Sequence, residues 1–255
     1  MTPWYLHPAF RPARLQDLVL WVNPSSVHGT TWQNLAPRYS NVNHGRIIGA
    51  QVGELLHPSG VFGSALYFNG QNAYVDCGQG ESLNITDAIT IEAWVKPNVP
   101  ASVQSGDIVD KGDYSTESGY RFCFDHGEGM DNQFFLNWNP GTAKALWSPD
   151  EAVKVGEWNH LVGVYVHNVG NRLYVDGELV ASNSVSGDIT PNSLRLKIGD
   201  GFNGTIDEVR IYEAALSPAE VTHNYTHSPI YYMQHGIDPL ELLAMSPKEI
   251  SRVVA

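Results

Sequence analysis

The segment Gly204-Thr205-Ile206-Asp207-Glu208-Val209-Arg210-Ile211-Tyr212 sets an acidic pair inside a run with the alternation of a β-strand. Side chains alternate faces along a strand, so Asp207 is expected beside Val209 and Ile211, facing a core, with Ile206 opposite. A buried carboxylate is costly unless hydrogen-bond donors, a cationic partner or a metal ion compensates it. Glu208 is expected on the other face, in a surface ion pair with Arg210. Three further acidic clusters, Asp107-Ile108-Val109-Asp110, Asp125-His126-Gly127-Glu128 and Asp150-Glu151, lie in turn-like contexts and read as solvated loop charge. The chain has no Gly-x-Ser-x-Gly, His-Glu-x-x-His, phosphate loop or Cys-x-x-Cys, so no catalytic residues are assigned.

The elements that must position these residues are short apolar or alternating runs separated by Gly, Asn and Asp. About a dozen are recognisable, from Leu18-Val19-Leu20-Trp21-Val22 through Ile89 to Val95 and Asn159 to Tyr165, ending at the segment around Asp207. This is the pattern of an all-β, two-sheet antiparallel sandwich. Asp176-Gly177 between two such runs predicts a type I′ hairpin turn, which needs positive φ at both central positions. Ser217-Pro218-Ala219-Glu220 predicts a helix opened by a capping box and running to about Tyr225.

Composition bounds the function. With 255 residues, 42% of them hydrophobic, the chain can bury one large core. A net charge of −12 opposes broad contact with phosphate backbones, so nucleic acid is excluded as a partner, and Ca²⁺ or a neutral glycan suits the balance better. The N-terminal residues lack a basic region leading into an apolar one, and no run of about 18 apolar residues follows, so neither a Sec leader nor membrane insertion is expected. Cys77 and Cys123 are expected to be free buried thiols.

Several stretches, taken in order, carry a family resemblance: Leu66-Tyr67-Phe68-Asn69-Gly70, Tyr74-Val75-Asp76-Cys77-Gly78, Ser82-Leu83-Asn84-Ile85-Thr86, Ile89 to Pro97 with Trp94, Gly156-Glu157-Trp158-Asn159-His160, Leu173-Tyr174-Val175-Asp176-Gly177, and Gly204 to Ser217. The sequence resembles the laminin G-like branch of the concanavalin A-like jelly rolls over about residues 18–227. The resemblance implies two curved antiparallel sheets. It also implies a Ca²⁺ site made from an N-terminal loop and the Asp of the last strand, here Asn34, Asn43 and Asp207, with Asn34 standing where relatives carry Asp. The alternative is that Asp207 accepts hydrogen bonds from loop amides around Asn34 and Asn43 without an ion. The Glu-x-Asp-x-Glu of laminarinase-type relatives is absent, which favours a non-enzyme over a glycoside hydrolase with an unrecognised carboxylate pair. His160 is expected to pack rather than ligate.

Lectin-like chemistry supplies a further candidate patch for a glycan or other partner: Trp138, Trp147, Asn139 and His126, with Asn137, Tyr114 and Tyr120 near it. Trp94 and Trp158 are assigned to the core instead. Residues 1–17 form an aromatic, Pro-rich arm, and residues 228–255 an apolar extension with a second short helix opened by Ser246-Pro247-Lys248-Glu249. Arms this apolar are expected to dock, either onto the domain or onto neighbouring subunits. The functional expectation is a non-catalytic structural or adhesive protein, such as a virion-surface component that assembles as an oligomer through its arms. A carbohydrate-binding lectin module is the alternative.

Overall fold

A computed structural model describes residues 3–55, 62–127, 129–139 and 144–253. Seventeen strands occur among them, in chain order β1 Leu18–Val22, β2 Val27–His28, β3 Thr31–Trp32, β4 Gly45–Ile48, β5 Gln51–Leu55, β6 Ser64–Asn69, β7 Tyr74–Asp76, β8 Ala88–Pro97, β9 Gly106–Asp110, β10 Tyr120–Asp125, β11 Gln133–Trp138, β12 Leu146–Trp147, β13 Asn159–Val166, β14 Gly170–Val175, β15 Glu178–Asn183, β16 Lys197–Ile198 and β17 Asn203–Tyr212. They form two antiparallel sheets. One has the order β15-β14-β13-β8-β17-β6-β5, with β1 also paired to β17; the other has the order β12-β11-β10-β9-β16-β7-β4-β3-β2. The jelly-roll sandwich is as expected, and the Asp176-Gly177 turn has positive φ at both residues, 49° and 82°. No helix among the described residues is long and apolar enough to cross a membrane.

Alternation explains why the sheets stack. On β8, Ile89, Ile91, Ala93 and Val95 enter the central core, where Phe122, Phe134 and Leu136 of the facing sheet meet them. The other face of β8 carries Thr90, Glu92 and Trp94, all buried as well. That outer face is covered by the chain termini. Trp4, Ala9 and Phe10 pack with Trp94, Ile230, Tyr232 and Leu242 in a second apolar cluster. The C-terminal part is helical: α1 Pro218–Thr226, α2 Pro229–Gln234, α3 Pro239–Leu242 and α4 Pro247–Val253. Helix α1 begins with the expected capping box on Ser217 and Glu220. The arms are therefore structural layers of this domain, and the apolar residues that suggested contacts with other subunits are buried within the chain. Cys77 and Cys123 are free and buried, as expected.

Beneath that cover lies an ionic network. Arg210 Nη1 donates to Glu92 Oε1 at 2.6 Å and Nη2 to Glu208, all three side chains being nearly inaccessible. Asn224 of α1 donates to Glu92 at 2.9 and 3.1 Å and accepts from the Ala13 backbone N–H at 2.7 Å, which links the N-terminal arm to the sheet. Burial by itself would raise the Glu92 carboxyl, but the adjacent Arg210 guanidinium and the His160 ring together outweigh it and hold the pKa down to about 2. His160 is buried between Trp94 and Tyr225, with ring centroids at 5.2 and 5.8 Å. It packs, as expected.

The acidic pair of β17 departs from the simple alternation. The pairing of β17 with β8 shifts between Asp207 and Arg210, and Glu208 has φ of 49°. This is a β-bulge, in which an extra residue lets Ile206, Val209 and Ile211 all face the central core. Asp207 and Glu208 are consequently turned away from that core toward the covered outer face. Glu208 does pair with Arg210, but in the buried network rather than at the surface, where it also accepts from Trp21 Nε1 at 3.4 Å. Asp207 Oδ1 accepts from the Glu208 N–H at 2.7 Å, and Oδ2 has no hydrogen-bond partner.

Neither Asn34 nor Asn43 bonds to Asp207. Asn34 instead completes the free edge of β1: Oδ1 accepts from the Trp21 and Ala36 N–H groups at 2.9 and 3.0 Å, and Nδ2 lies 3.0 to 3.2 Å from the carbonyls of Val19, Tyr39 and Val42. The amide has both a donor and an acceptor to offer, and an ionised Asp has no donor. Asn43, at φ 56°, donates to Ser82 Oγ at 2.8 Å. The two amides implied as Ca²⁺ ligands are thus engaged with backbone groups and Ser82.

Two expectations follow. Asn34→Asp should lower unfolding stability by about 2–4 kcal/mol in urea titration, because the carbonyls lose their donor and a charge is buried; an unchanged midpoint would refute the edge-completing role. Burial, with Glu208 beside it, raises the Asp207 pKa well above its ordinary 3.8. A raised folded-state pKa means stability that is full below 3.8 and is lost as pH rises toward the folded value. Asp207→Asn, which has no such loss, should melt above the wild type at pH about 7.5 by on the order of 1 kcal/mol, with the gap closing near pH 4. Equal pH dependence of the two proteins would show that Asp207 is ionised and compensated.

Candidate functional site

The outer face of the nine-stranded sheet has no such cover, and its side chains follow from register. On β10, Tyr120, Phe122 and Phe124 point into the core, so Arg121, Cys123 and Asp125 point outward. Cross-strand pairing then builds rows. One runs Trp147, Phe135, Cys123 and Asp107 across β12, β11, β10 and β9; another runs Asn137, Arg121, Asp110, Lys197 and Asp76 toward β7. With strands about 4.8 Å apart, the first row spans about 14 Å.

Arg121 is the centre of this face. Its guanidinium meets Asp107 at 2.6 Å and Asp110 at 3.4 Å, and it donates to the Tyr114 hydroxyl at 2.9 Å while lying 5.3 Å from that ring. Burial raises the Asp107 pKa to about 6, with Arg121 opposing and Asp110 adding to the rise; the Cys123 thiol donates to Asp107 at 2.6 Å. Burial raises Asp110 as well. These two acids, read from sequence as loop charge, are strand residues that clamp an arginine. Next to them Ser105, Asp107, Arg121, Asp125 and Asp200 line a cavity of about 240 Å³. Lys197 pairs with Asp200 at 2.7 Å, and Arg195 with Asp76 at 2.7 and 2.8 Å.

The predicted patch is brought together only in part. Trp147 is 37% exposed and lies over Phe135 at a ring distance of 4.4 Å. Asn137 is 7% exposed and turned outward, and its Oδ1 has no hydrogen-bond partner. Tyr114 is exposed beside Arg121, and His126 is exposed beside Asp125 at 3.4 Å. Trp138, expected at the surface, is fully buried instead. It is in phase with Phe134 and Leu136, contacts Tyr165 at 4.2 Å and donates through Nε1 to Asn171 at 3.0 Å. Tyr120 is likewise in the core. Asn139 is structural: Nδ2 donates to the Asp188 carbonyl at 2.9 Å and Oδ1 accepts from the Thr190 N–H at 2.8 Å. Pro140 and Gly141, which follow it, and Glu128 lie outside the described residues. Asp150 and Glu151 accept hydrogen bonds from the Asp131 N–H and from Asn132, which ties two loops together.

Sequence reasoning missed Arg121, Asp107 and Asp110 as a unit. The signal available was the Phe122/Phe124 phase, which turns Arg121 and Asp125 outward. What the arrangement offers chemically is a flat indole and a phenol at opposite sides of a polar row. Planar carboxylate, amide and guanidinium groups of that row are held in fixed positions.

Comparisons with known proteins agree with this architecture. The binding domain of Paraclostridial Mosquitocidal Protein 1 is similar with a TM-score of 0.65 at 18% identity, over 83% of this chain and 52% of that one. Domain 4 of AbnA, an extracellular arabinanase from Geobacillus stearothermophilus solved in complex with arabinotriose, gives 0.57 at 18% identity over 82% and 98%. The botulinum neurotoxin serotype D ligand binding domain in complex with N-acetylneuraminic acid gives 0.61 at 12% identity over 83% and 51%. The chain spans about half the length of the toxin domains. At these identities the likeness is one of fold. No curated protein sequence matches the chain. The family model described as the concanavalin A-like lectin/glucanases superfamily matches residues 69–222, more than half of the sequence, and with the two-sheet jelly roll this places the chain in that superfamily: it belongs to the concanavalin A-like lectin/glucanases.

Proposed function

We propose that this chain is a carbohydrate-binding module that holds a glycan on the open face of the nine-stranded sheet. The observation that carries this reading is Trp147, a 37% exposed indole lying over Phe135 beside a row of paired polar side chains, with exposed Tyr114 against Arg121. The indole and phenol offer apolar faces to pyranose or furanose C–H groups. The domain of similar fold from an arabinanase, solved with arabinotriose, supports a sugar as ligand.

The face also favours a neutral glycan over an acidic one. Arg121, Lys197 and Arg195 are each already paired with a carboxylate, so an anionic sugar would have to displace an internal partner. The reading is binding rather than hydrolysis: Asp107 and Asp110 are engaged in orienting Arg121. Assembly through the terminal arms, on a virion or elsewhere, is not carried forward, because their apolar residues are spent on the outer face of the eight-stranded sheet.

Screening of neutral arabino- and gluco-oligosaccharides beside sialylated ones, followed by calorimetry on the best ligand, tests this. Trp147→Ala and Tyr114→Ala should each weaken binding about tenfold or more with little change in melting temperature. Trp138→Ala should destabilise the fold by about 3–5 kcal/mol. Preference for the sialylated set, or full affinity in Trp147→Ala, would overturn the reading.

A further inference from the structure

Three loops bring together a nitrogen and two oxygen donors outside the polar row of the nine-stranded sheet. Asp87 directly precedes the apolar run of β8, His167 sits in the turn between β13 and β14, and Asp188 lies in the long connection between β15 and β16. His167 Nδ1 is 3.0 Å from Asp188 Oδ1 and 3.8 Å from Asp87 Oδ1, and one donor atom from each residue lies within 4.8 Å of the other two.

The backbone fixes this convergence. The Ile189 N–H donates to the Thr86 carbonyl at 2.8 Å, which holds the residues following Thr86 and preceding Ile189 side by side. Ile189 is itself anchored in the central core, and Asn139 holds the Asp188 carbonyl. The Val169 N–H closes the turn onto Val166 at 3.0 Å, with Asn168 at φ 57°, which presents His167 toward the two acids.

Two features distinguish this from an ordinary acidic surface. Nδ1 is screened from solvent and makes no hydrogen bond, although a carboxylate oxygen lies 3.0 Å away, so an Nδ1–H donated to Asp188 does not account for the contact. The spacing also matches coordination: ligands about 2.0–2.2 Å from a common ion stand about 3–3.5 Å from one another, between the two separations seen here. A neutral imidazole and two carboxylates offset a dication. One nitrogen and two oxygens form a set suited to zinc and similar borderline ions, whereas calcium prefers six to eight oxygens.

We propose that Asp87, His167 and Asp188 form a divalent transition-metal site, with zinc as the type ion. Three protein ligands leave at least one position to water, and the exposure of both carboxylates keeps that position open to solvent. Binding would staple the β15–β16 connection to the loop before β8 and to the β13–β14 turn. The proposal does not depend on the glycan reading.

The test uses the full chain after chelator treatment, titrated with ZnCl₂, MnCl₂ and CaCl₂ in calorimetry and thermal unfolding. Zinc should bind with one equivalent and raise the melting temperature, and calcium should do neither. His167→Ala and Asp188→Asn should each weaken zinc binding about tenfold or more while the metal-free proteins melt like the wild type. The stacked histidine pair at the end of α1, His223 and His227, is the control, and His223→Ala with His227→Ala should keep the equivalent. Absence of a zinc equivalent, its retention in His167→Ala, its loss with the helical pair, or a response to calcium alone would overturn the proposal.

Discussion

The fold depends on one inserted residue in β17. This strand pairs with β8 along one side, while on the other it serves β6 through its first half and β1 through its second. The change of partner coincides with the bulge at Asp207 and Glu208, which keeps the apolar side chains before and after it on the central core. Two carboxylates are thereby turned to the opposite face. Glu208 is met there by Arg210 on the same strand and Trp21 from β1, and Asn224 from α1 joins the Arg210–Glu92 pair to the N-terminal arm. A buried network of this kind is poor evidence for net stability, but breaking any one partner leaves a charge or donor stranded. It specifies where the termini sit more than how tightly they hold.

The two sheets consequently present different surfaces. The central strands of the eight-stranded sheet, β8, β13 and β17, are buried on both sides, which accounts for the near absence of exposed residues along them. The nine-stranded sheet packs one side on the core; on β10 Arg121 and Asp125 alternate with core Phe122 and Phe124, whereas every residue of β11 is buried. Its polar side chains stand in rows across neighbouring strands, with opposite charges facing each other, the arrangement that stabilises an exposed sheet face. A surface stiffened in this way keeps Asn137 and Arg121 in place before anything binds, so little ordering cost would remain for a ligand.

Much of this was legible in the sequence. Alternation identified the strands, Asp176-Gly177 the hairpin, and Ser217 to Glu220 the capped helix. The orientation of Trp138 was also available, since counting by twos from Phe134 and Leu136 sends it inward and leaves Asn137 outward; the turn residues after it obscured that count. The bulge was not legible, because an Asp-Glu insertion between Ile206 and Val209 looks the same as alternation with an acid on each face. Nor could the partner of the arms be read. Apolar terminal residues announce that they dock, but their target, the Trp94 face of β8, lies 84 residues from Phe10 and 136 from Ile230 in the chain. The Arg121 cluster stayed hidden for a different reason: Asp107-Ile108-Val109-Asp110 carries an acid at each end and reads as a turn, although it is a strand paired with the next one, β10.

The sheets also end differently. The nine-stranded sheet terminates at both sides in strands of two residues, β12 and β2, which leave almost no row of backbone groups for another chain to join. The eight-stranded sheet ends at β15, six residues without lysine or proline and with Leu179 exposed. Its one irregularity, the register shift opposite Leu173 and Tyr174, interrupts the ladder midway and bends the edge. Of these three edges, β15 is the one at which a second polypeptide could extend a sheet, and the break in its ladder limits such an addition to a few residues on either side.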